Sequence, residues 1–180
     1  QDKPHVTAAH EKLDKNKGLI VHWGTGAGKT KFFLDAAKKA LDENKDHDAL
    51  IVAPASLVTN VDKELDKHKI KLDRKRLQVY SYEKANNISD ELAKHRYAVA
   101  IADEGHKLRN SDTQRSKSLT EIFRKADKRI LSTATANYNH AADVSPLVNI
   151  AAGYDALPTK RKDFENKYIR KVNKPQGLVD

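Results

Sequence analysis

The sequence of 180 residues contains no cysteine and no methionine, and aromatic residues make up only 6% of it. The absence of cysteine excludes disulfide bonds, thiolate metal ligands and a cysteine nucleophile. The longest apolar runs have about six residues, far fewer than the roughly 20 that a transmembrane helix needs. No apolar segment of a signal peptide follows the polar start. We therefore expect a protein without a membrane span, and Gln1 suggests an excised or processed fragment.

The charge is strongly basic, with 34 Lys and Arg against 25 Asp and Glu, a formal net charge of +9. A surplus of this size favours a polyanionic partner, with nucleic acid first and an anionic membrane surface second. A solvated surface with extra lysines explains the same surplus, so charge alone leaves the alternatives open.

Two sequence periods alternate along the chain. Helical spacing appears at residues 32–41, at 57, 61 and 65, and at 119–126, with Phe32 and Phe33 as core candidates. The tail predicts a further helix at 163–171. Short apolar runs, unbroken as in strands buried on both faces, lie between the helical patterns; they occupy residues 18–22, 49–53, 77–80, 97–102 and 129–132. The alternation predicts an α/β fold with a mostly parallel central sheet and helices on both faces.

A glycine-rich segment, residues 23–30 (WGTGAGKT), follows the first predicted strand and opens the first helical pattern. Glycines let successive backbone N–H groups turn towards phosphate oxygens, and the helix N-terminus adds partial positive charge. Lys29 would reach the β- and γ-phosphates, and the Thr30 hydroxyl would bind Mg²⁺. Trp23 stands where the general pattern has glycine, and a glycine-rich turn without a ligand is the alternative. The predicted cofactor-binding residues are Gly24, Thr25, Gly26, Ala27, Gly28, Lys29 and Thr30.

An acidic pair, Asp103 and Glu104, follows the predicted strand at 97–102. Ligands of open α/β sheets lie at the carboxyl ends of strands, so this pair and the phosphate loop are expected to converge. Asp103 would hold Mg²⁺, while Glu104 would orient and deprotonate a water. Glu104 and Lys29 are thus the predicted catalytic residues, although Asp-Glu is also common at the start of a polar loop.

Several stretches resemble, in order, the N-terminal RecA-like lobe of superfamily II helicase-related ATPases, most closely the Swi/Snf-type DNA translocases. The resemblance covers nearly the whole chain. It rests on residues 24–30 (GTGAGKT), 51–57 (IVAPASL), 79–83 (VYSYE), 103–110 (DEGHKLRN), 133–136 (TATA) and 147–150 (LVNI), with Phe164 and Tyr168 in the tail. Departures from the family pattern are Val6 for the usual Gln, Val61 for Trp and Ala136 for Pro.

The resemblance implies ATP and Mg²⁺ as cofactors, double-stranded DNA as the partner, and a second RecA-like lobe absent from this chain. It implies that His106, Thr133 and Thr135 couple the nucleotide site to the nucleic acid. Segments that face the DNA backbone would include Ser56, Ser81, Lys107 and Arg109, with sequence-independent phosphate contacts. For Lys107 and Arg109 a solvated surface remains the alternative. A cytoplasmic or nuclear location follows from the same resemblance.

Residues 1–180 are accordingly expected to form one ATP-binding lobe of an enzyme that moves along double-stranded DNA. One alternative is a strand-separating DNA or RNA helicase of the same superfamily. Another is a nucleotide-gated binding module that does not hydrolyse ATP. The eight histidines show no HExxH or H-x-x-x-H spacing, so no structural metal is expected.

Overall fold

The computed structural model of the protein describes residues 4–21, 28–109, 114–133 and 178–179. Helices and strands alternate along most of this length. In chain order they are α1 (Pro4–Asn16), β1 (Gly18–Val21), α2 (Lys29–Glu43), β2 (Asp48–Val52), α3 (Ala55–Lys67), β3 (Leu77–Tyr80), α4 (Tyr82–Asn87), α5 (Ser89–Leu92), β4 (Tyr97–Ala102), α6 (Gln114–Lys125), β5 (Lys128–Ser132) and β6 (Leu178–Val179). Two short 3₁₀ turns cover Arg74–Arg76 and Gly105–Arg109.

The strands form one sheet in the order β3-β2-β4-β5-β1-β6, and every described pairing is parallel. The five strands predicted from apolar runs are all present. Backbone hydrogen bonds continue past the carboxyl ends of the strands, because Asp103 N–H donates to Val52 O and Thr133 N–H donates to Val21 O, each at 2.9 Å. The residues that follow β4 and β5 are therefore fixed at one edge of the sheet.

Helices cover both faces of the sheet. Alternate residues of β4 contribute to two separate apolar clusters, since Val99 and Ile101 belong to one and Ala100 and Ala102 to the other. The first cluster includes residues of α1, α2 and α3, and the second includes residues of α5 and α6. Phe32 and Phe33 are fully buried in the first cluster, as predicted. The predicted two-sided α/β arrangement is confirmed.

Two predictions about individual elements were incomplete. The run at 77–80 was expected to be buried on both faces, but only Leu77 is buried. Its strand, β3, is at one edge of the described sheet, where it pairs with β2 on one side, and its other residues are half-buried. Helix α1 was not predicted, although Val6, Ala9 and Leu13 form its buried stripe at helical spacing. The helix predicted at 163–171 lies outside the described residues.

A cluster of charges joins α1, α2 and β5. Lys128 Nζ lies 2.9 Å from Asp14 Oδ1 and 3.2 Å from Glu43 Oε2, and Lys39 also pairs with Asp14. Burial acts to raise the pKa of Asp14, but hydrogen bonds from Lys39 and Lys128 outweigh it and lower that pKa to about 2. Burial likewise opposes the charge of Lys128, yet the hydrogen bonds that Lys128 donates to Asp14 and Glu43 raise its pKa. Asp14 and Lys128 therefore stay ionised at neutral pH, and their pair links α1 to β5.

The described helices are short. The longest, α2, has 15 residues, and no helix among the described residues combines the length and apolarity needed to cross a bilayer.

Candidate nucleotide-binding site

Two of the predicted site residues meet at the edge formed by the carboxyl ends of the strands. Lys29 is the first residue of α2, and Asp103 directly follows β4. Lys29 Nζ lies 3.0 Å from Asp103 Oδ1, with side-chain exposures of only 16% and 8%. A mostly buried ammonium next to a mostly buried carboxylate provides one group for an anion and one for a cation. The two residues were expected to converge; their contacts with the phosphates and Mg²⁺ of a nucleotide stay predictions.

The described start of α2, from Gly28 onwards, suits the binding of an anion. Gly28 precedes the helix with φ +83°, a left-handed conformation that glycine adopts without steric strain. Gly28 at the N-cap position has no side chain with which to cap the helix, and the first turn of α2 presents the backbone N–H groups and partial positive charge of a helix N-terminus. Thr30 is half-buried in the first turn. The remaining predicted loop residues, Gly24, Thr25, Gly26 and Ala27, lie outside the described residues.

The donor set suits Mg²⁺. Among the residues that the structure describes, no group of three or more His, Cys, Asp or Glu side chains could hold a metal ion. Mg²⁺ does not require such a group, because it is usually bound by one or two protein oxygens together with waters and substrate phosphates. Asp103 and Thr30 are the oxygen donors predicted for it.

Glu104 adopts a strained backbone conformation, with φ +54°. Its N–H donates to Asp103 Oδ1 at 3.1 Å, and its Oε2 lies 2.9 Å from Lys107 Nζ. The hydrogen bond from Lys107 lowers the pKa of Glu104 and outweighs the effect of burial, and the charges of Lys107, His106 and Lys29 add to it. Glu104 is therefore an ionised carboxylate beside Asp103, as a residue that orients a water must be.

Tyr82, the first residue of α4, supports this strained turn. Its hydroxyl donates to the carbonyl oxygens of Asp103, at 2.7 Å, and of Glu104, at 3.1 Å. Burial, together with the charges of Asp103 and Glu104, raises the pKa of Tyr82 well above its ordinary value, so the hydroxyl keeps its proton. This contact of Tyr82 was not predicted from the sequence. The available signal was the position of Tyr82 just beyond the carboxyl end of a predicted strand.

Gly105 allows the turn to approach the sheet. A Cβ at this position would lie 3.2 Å from Leu131 Cβ, tighter than nine in ten real contacts of this kind, so Leu131 would have to shift by a few tenths of an ångström. Leu131 belongs to β5, the strand between β4 and β1, and cannot move away easily. Close packing against Leu131 thus explains why a glycine suits position 105.

The residues predicted to couple the nucleotide site to a nucleic acid occupy different depths. His106 is half-buried in the 3₁₀ turn after Glu104. Thr133 is 4% exposed and follows β5, next to the end of β1. Thr135 lies outside the described residues.

The four predicted nucleic-acid residues belong to two groups. Lys107 is 44% exposed, and its Nζ lies 5.8 Å from the centroid of the Tyr82 ring. Ser81 precedes that tyrosine, and its Oγ accepts a hydrogen bond from Lys84 N–H at the start of α4. Arg109 ends the same 3₁₀ turn as Lys107. Ser56 is exposed on the first turn of α3. The structure therefore brings the segments of Ser81 and Lys107 together.

A separate cleft of about 630 Å³ opens at the amino ends of β2, β4 and β5. It contains none of the predicted site residues, and it lies at the opposite edge of the sheet from Lys29 and Asp103. Its lining includes His47, Arg96, Lys117 and Asp127. The nucleotide site is therefore assigned from chemistry and position, not from cavity size.

A parallel sheet with helices on both faces, and a helix N-terminus and an acidic turn at the carboxyl ends of its strands, define a RecA-like P-loop domain. The sequence model of the SNF2-related domain family matches residues 62–178. The chain belongs to this family. The predicted resemblance to the N-terminal lobe of Swi/Snf-type ATPases is confirmed, and so is the predicted fold class.

Two curated proteins are similar in sequence. A protein of Acanthamoeba polyphaga mimivirus, named "Putative ATP-dependent RNA helicase L538", is 30% identical over 92% of this chain and 36% of its own length. The Gallus gallus "DNA repair and recombination protein RAD54B" is 29% identical over 68% of this chain and 15% of its own length. The chain thus spans about a third or less of these relatives.

Two solved structures share the fold. The Sulfolobus solfataricus SWI2/SNF2 ATPase core in complex with dsDNA matches with a TM-score of 0.70, at 20% identity, over 98% of this chain and 40% of that one. The core domain from the same organism matches with a TM-score of 0.68, at 17% identity, over 97% of this chain and 41% of that one. At these identities the likeness establishes the fold.

Proposed function

We propose that residues 1–180 form the ATP-binding lobe of a Swi/Snf-type ATPase that couples ATP hydrolysis to translocation on double-stranded DNA. The observation that carries the proposal is the 3.0 Å pair between Lys29 and Asp103. It brings a cation and a carboxylate from distant parts of the sequence to the edge of the sheet where α/β proteins bind ligands.

Each residue has a role that its position supports. Lys29 exchanges Asp103 for the phosphate oxygens of ATP, and Asp103 together with Thr30 holds Mg²⁺. The metal ion, when bound, neutralises charge on the phosphates. Glu104 accepts the proton of the attacking water, and Tyr82 holds the backbone from which Glu104 projects. Phosphoryl transfer depends mainly on such positioning and on charge stabilisation.

The nucleic-acid partner is proposed from charge and from the relatives. The net charge of +9 favours a polyanion. The name of RAD54B refers to DNA repair, and one structural match is a complex with dsDNA. The name of the mimivirus protein, by contrast, refers to an RNA helicase, and it supports strand separation on RNA or DNA as the second candidate.

ATP turnover by the lobe alone tests how the catalytic unit is divided. A second lobe would supply an arginine finger, which contributes roughly 10³–10⁵ in rate in other P-loop enzymes. We therefore expect residues 1–180 to bind Mg·ATP, to hydrolyse it very slowly and to respond little to DNA. Addition of the parent protein's second lobe should restore both rate and stimulation. Strong DNA-stimulated turnover by the 180-residue chain, abolished in a Lys29→Ala control, would contradict this division.

Substrate choice separates the two candidate functions. The two-lobe protein should displace the third strand of a DNA triplex without separating a tailed duplex, and double-stranded DNA should stimulate its ATPase more than RNA does. Unwinding of a tailed duplex, or preferential stimulation by RNA, would favour the helicase. A non-hydrolysing module would bind Mg·ATP and show no turnover on any nucleic acid.

A further inference from the structure

Glu104 and Lys107 form an ion pair across one turn of backbone. Their charged atoms are 2.9 Å apart, and the two side chains are 32% and 44% exposed. Lys107 Nζ also lies 5.8 Å from the centroid of the Tyr82 ring, within the range of a cation–π contact. The same carboxylate is the proposed acceptor of a proton from water, and the same ammonium is a proposed contact of the nucleic acid. Each group therefore has one further proposed role, and that role competes with the ion pair.

We propose that Lys107 exchanges between two anions: it holds the Glu104 carboxylate when nucleic acid is absent, and it contacts a backbone phosphate when nucleic acid is bound. The exchange leaves Glu104 unpaired only in the complex with nucleic acid. This inference rests on the proposed function, because it requires a polyanion as the competitor. It adds a path by which that polyanion affects the hydrolytic residue directly.

The backbone is arranged so that the Lys107 ammonium can leave the Glu104 carboxylate without disturbing the turn. The carbonyl oxygens of Asp103 and Glu104 accept hydrogen bonds from the Tyr82 hydroxyl, and Glu104 N–H donates to Asp103 Oδ1. None of these bonds involves the Lys107 side chain, and the Lys107 backbone N–H donates to the Glu104 carbonyl oxygen at 3.0 Å whichever anion its ammonium holds. The Glu104 backbone therefore stays in place when its side chain loses the ammonium, and only two side chains change partners.

The pair also has a suitable strength. Ion pairs at this exposure are weak, because water competes for both charges. A phosphate oxygen that approaches Lys107 from solvent can therefore replace the carboxylate. The same weakness limits the size of the effect. Breaking the pair should change DNA affinity by about twofold to fivefold, the range that an exposed pair supports.

The test uses the reciprocity of coupled equilibria. If Glu104 competes with a DNA phosphate for Lys107, Glu104→Gln should strengthen DNA binding by about twofold to fivefold. The measurement is fluorescence anisotropy with a labelled 20-base-pair duplex at 50 mM salt and without nucleotide, on the 180-residue chain. In a Lys107→Gln background the Glu104→Gln change should add much less, because the contested cation is gone. Lys107→Gln alone should lower the salt slope of binding by about one.

A second pair in the chain provides the matched control. Glu91 and Lys94 are also three residues apart and exposed, with charged atoms 3.3 Å apart. Glu91→Gln makes the same change of net charge and should give equal small effects with and without Lys94→Gln. Circular dichroism melts of each variant verify that the fold is kept.

Each outcome is decisive. If Glu104→Gln changes DNA affinity equally in both backgrounds, Lys107 is not shared and the exchange is wrong, while the proposal of DNA binding stands. If the unchanged chain does not bind the duplex at any salt concentration, DNA binding by this lobe is wrong and the exchange is overturned with it. Coupling confined to the Glu104–Lys107 pair supports both.

Discussion

The hydroxyl of Tyr82 donates a hydrogen bond to the carbonyl oxygen of Asp103 at 2.7 Å, and so links α4 to the acidic turn after β4. The same hydroxyl reaches the carbonyl oxygen of Glu104 at 3.1 Å. One side chain thereby holds the backbone of both residues for which we propose roles as a metal ligand and a proton acceptor. Glu104, at φ +54°, is the strained member of this pair.

Tyr82→Phe should destabilise the fold by about 1–2 kcal/mol, because it removes a half-buried donor from two carbonyl oxygens. Urea unfolding monitored by circular dichroism measures the change. Tyr80→Phe is the control, since its hydroxyl donates to the Gln78 side chain on the edge strand. That change should have a clearly smaller effect. Equal changes in the free energy of unfolding would show that the Tyr82 hydrogen bonds stabilise the fold no more than the Tyr80 hydrogen bond does.

Lys29→Ala should weaken Mg·ATP binding by about tenfold to a hundredfold, because a charge-assisted hydrogen bond to phosphate is lost. Calorimetry measures the affinity, and the emission of Trp23, the only tryptophan, gives a second readout. The control is Lys31→Ala on the same helix, where Lys31 pairs with Asp35 at 2.7 Å. ATP affinity that is unchanged in Lys29→Ala would remove the basis of the nucleotide site.

Glu104→Gln should leave Mg·ATP binding nearly intact and abolish most hydrolysis in the two-lobe protein. The amide keeps the shape of the side chain but cannot accept the proton of water. Asp103→Asn should instead weaken Mg²⁺-dependent binding itself. Calorimetry and a phosphate-release assay separate the two effects. Near-normal turnover by Glu104→Gln would exclude the assigned role.

Asp14 should make stability depend on pH in the acid range. Its pKa is about 2 in the folded protein, against an ordinary value of 3.8. A lowered pKa stabilises the fold fully above pH 3.8, and this contribution is lost as the pH falls through about 2.

The Asp14 side chain is 41% exposed, so screening reduces the contribution to about 1 kcal/mol. Urea unfolding should show Asp14→Asn less stable than the unchanged chain at pH 5, with the difference vanishing near pH 2. Asp42→Asn, which breaks the exposed pair with Lys38, is the control. A difference between Asp14→Asn and the unchanged chain that persists at pH 2 would contradict the assigned pKa.

Most of the sheet could be predicted from the sequence, because strands buried on both faces must be apolar at consecutive positions. Residues 97–102 became β4 for this reason, with every residue buried. The burial of the edge strand β3 was harder to predict, since a strand that is paired on one side can leave more of its residues partly exposed. Helix α1 was not predicted from the sequence, because Val6, Ala9 and Leu13 are its only buried residues and mostly polar residues separate them.

The candidate site was predictable where chemistry requires fixed residue types at fixed spacing. Lys29 and Asp103 were expected to converge because both follow parallel strands, and their 3.0 Å separation is consistent with that expectation. The contacts of Tyr82 and the pairing of Glu104 with Lys107 depend on side-chain directions in three dimensions. No sequence period encodes such directions.

The strand order has a consequence for how the chain folds. Strand β1 comes early in the sequence, but it lies between β5 and β6, which are both synthesised much later. Strand β1 therefore has no strand partner while the first half of the chain leaves the ribosome, and its unpaired backbone N–H and C=O groups stay open to other chains. Such long-range parallel pairing slows folding and favours aggregation of intermediates. A nascent chain that stops before Lys128 should bind holding chaperones, whereas one that includes β5 should be released.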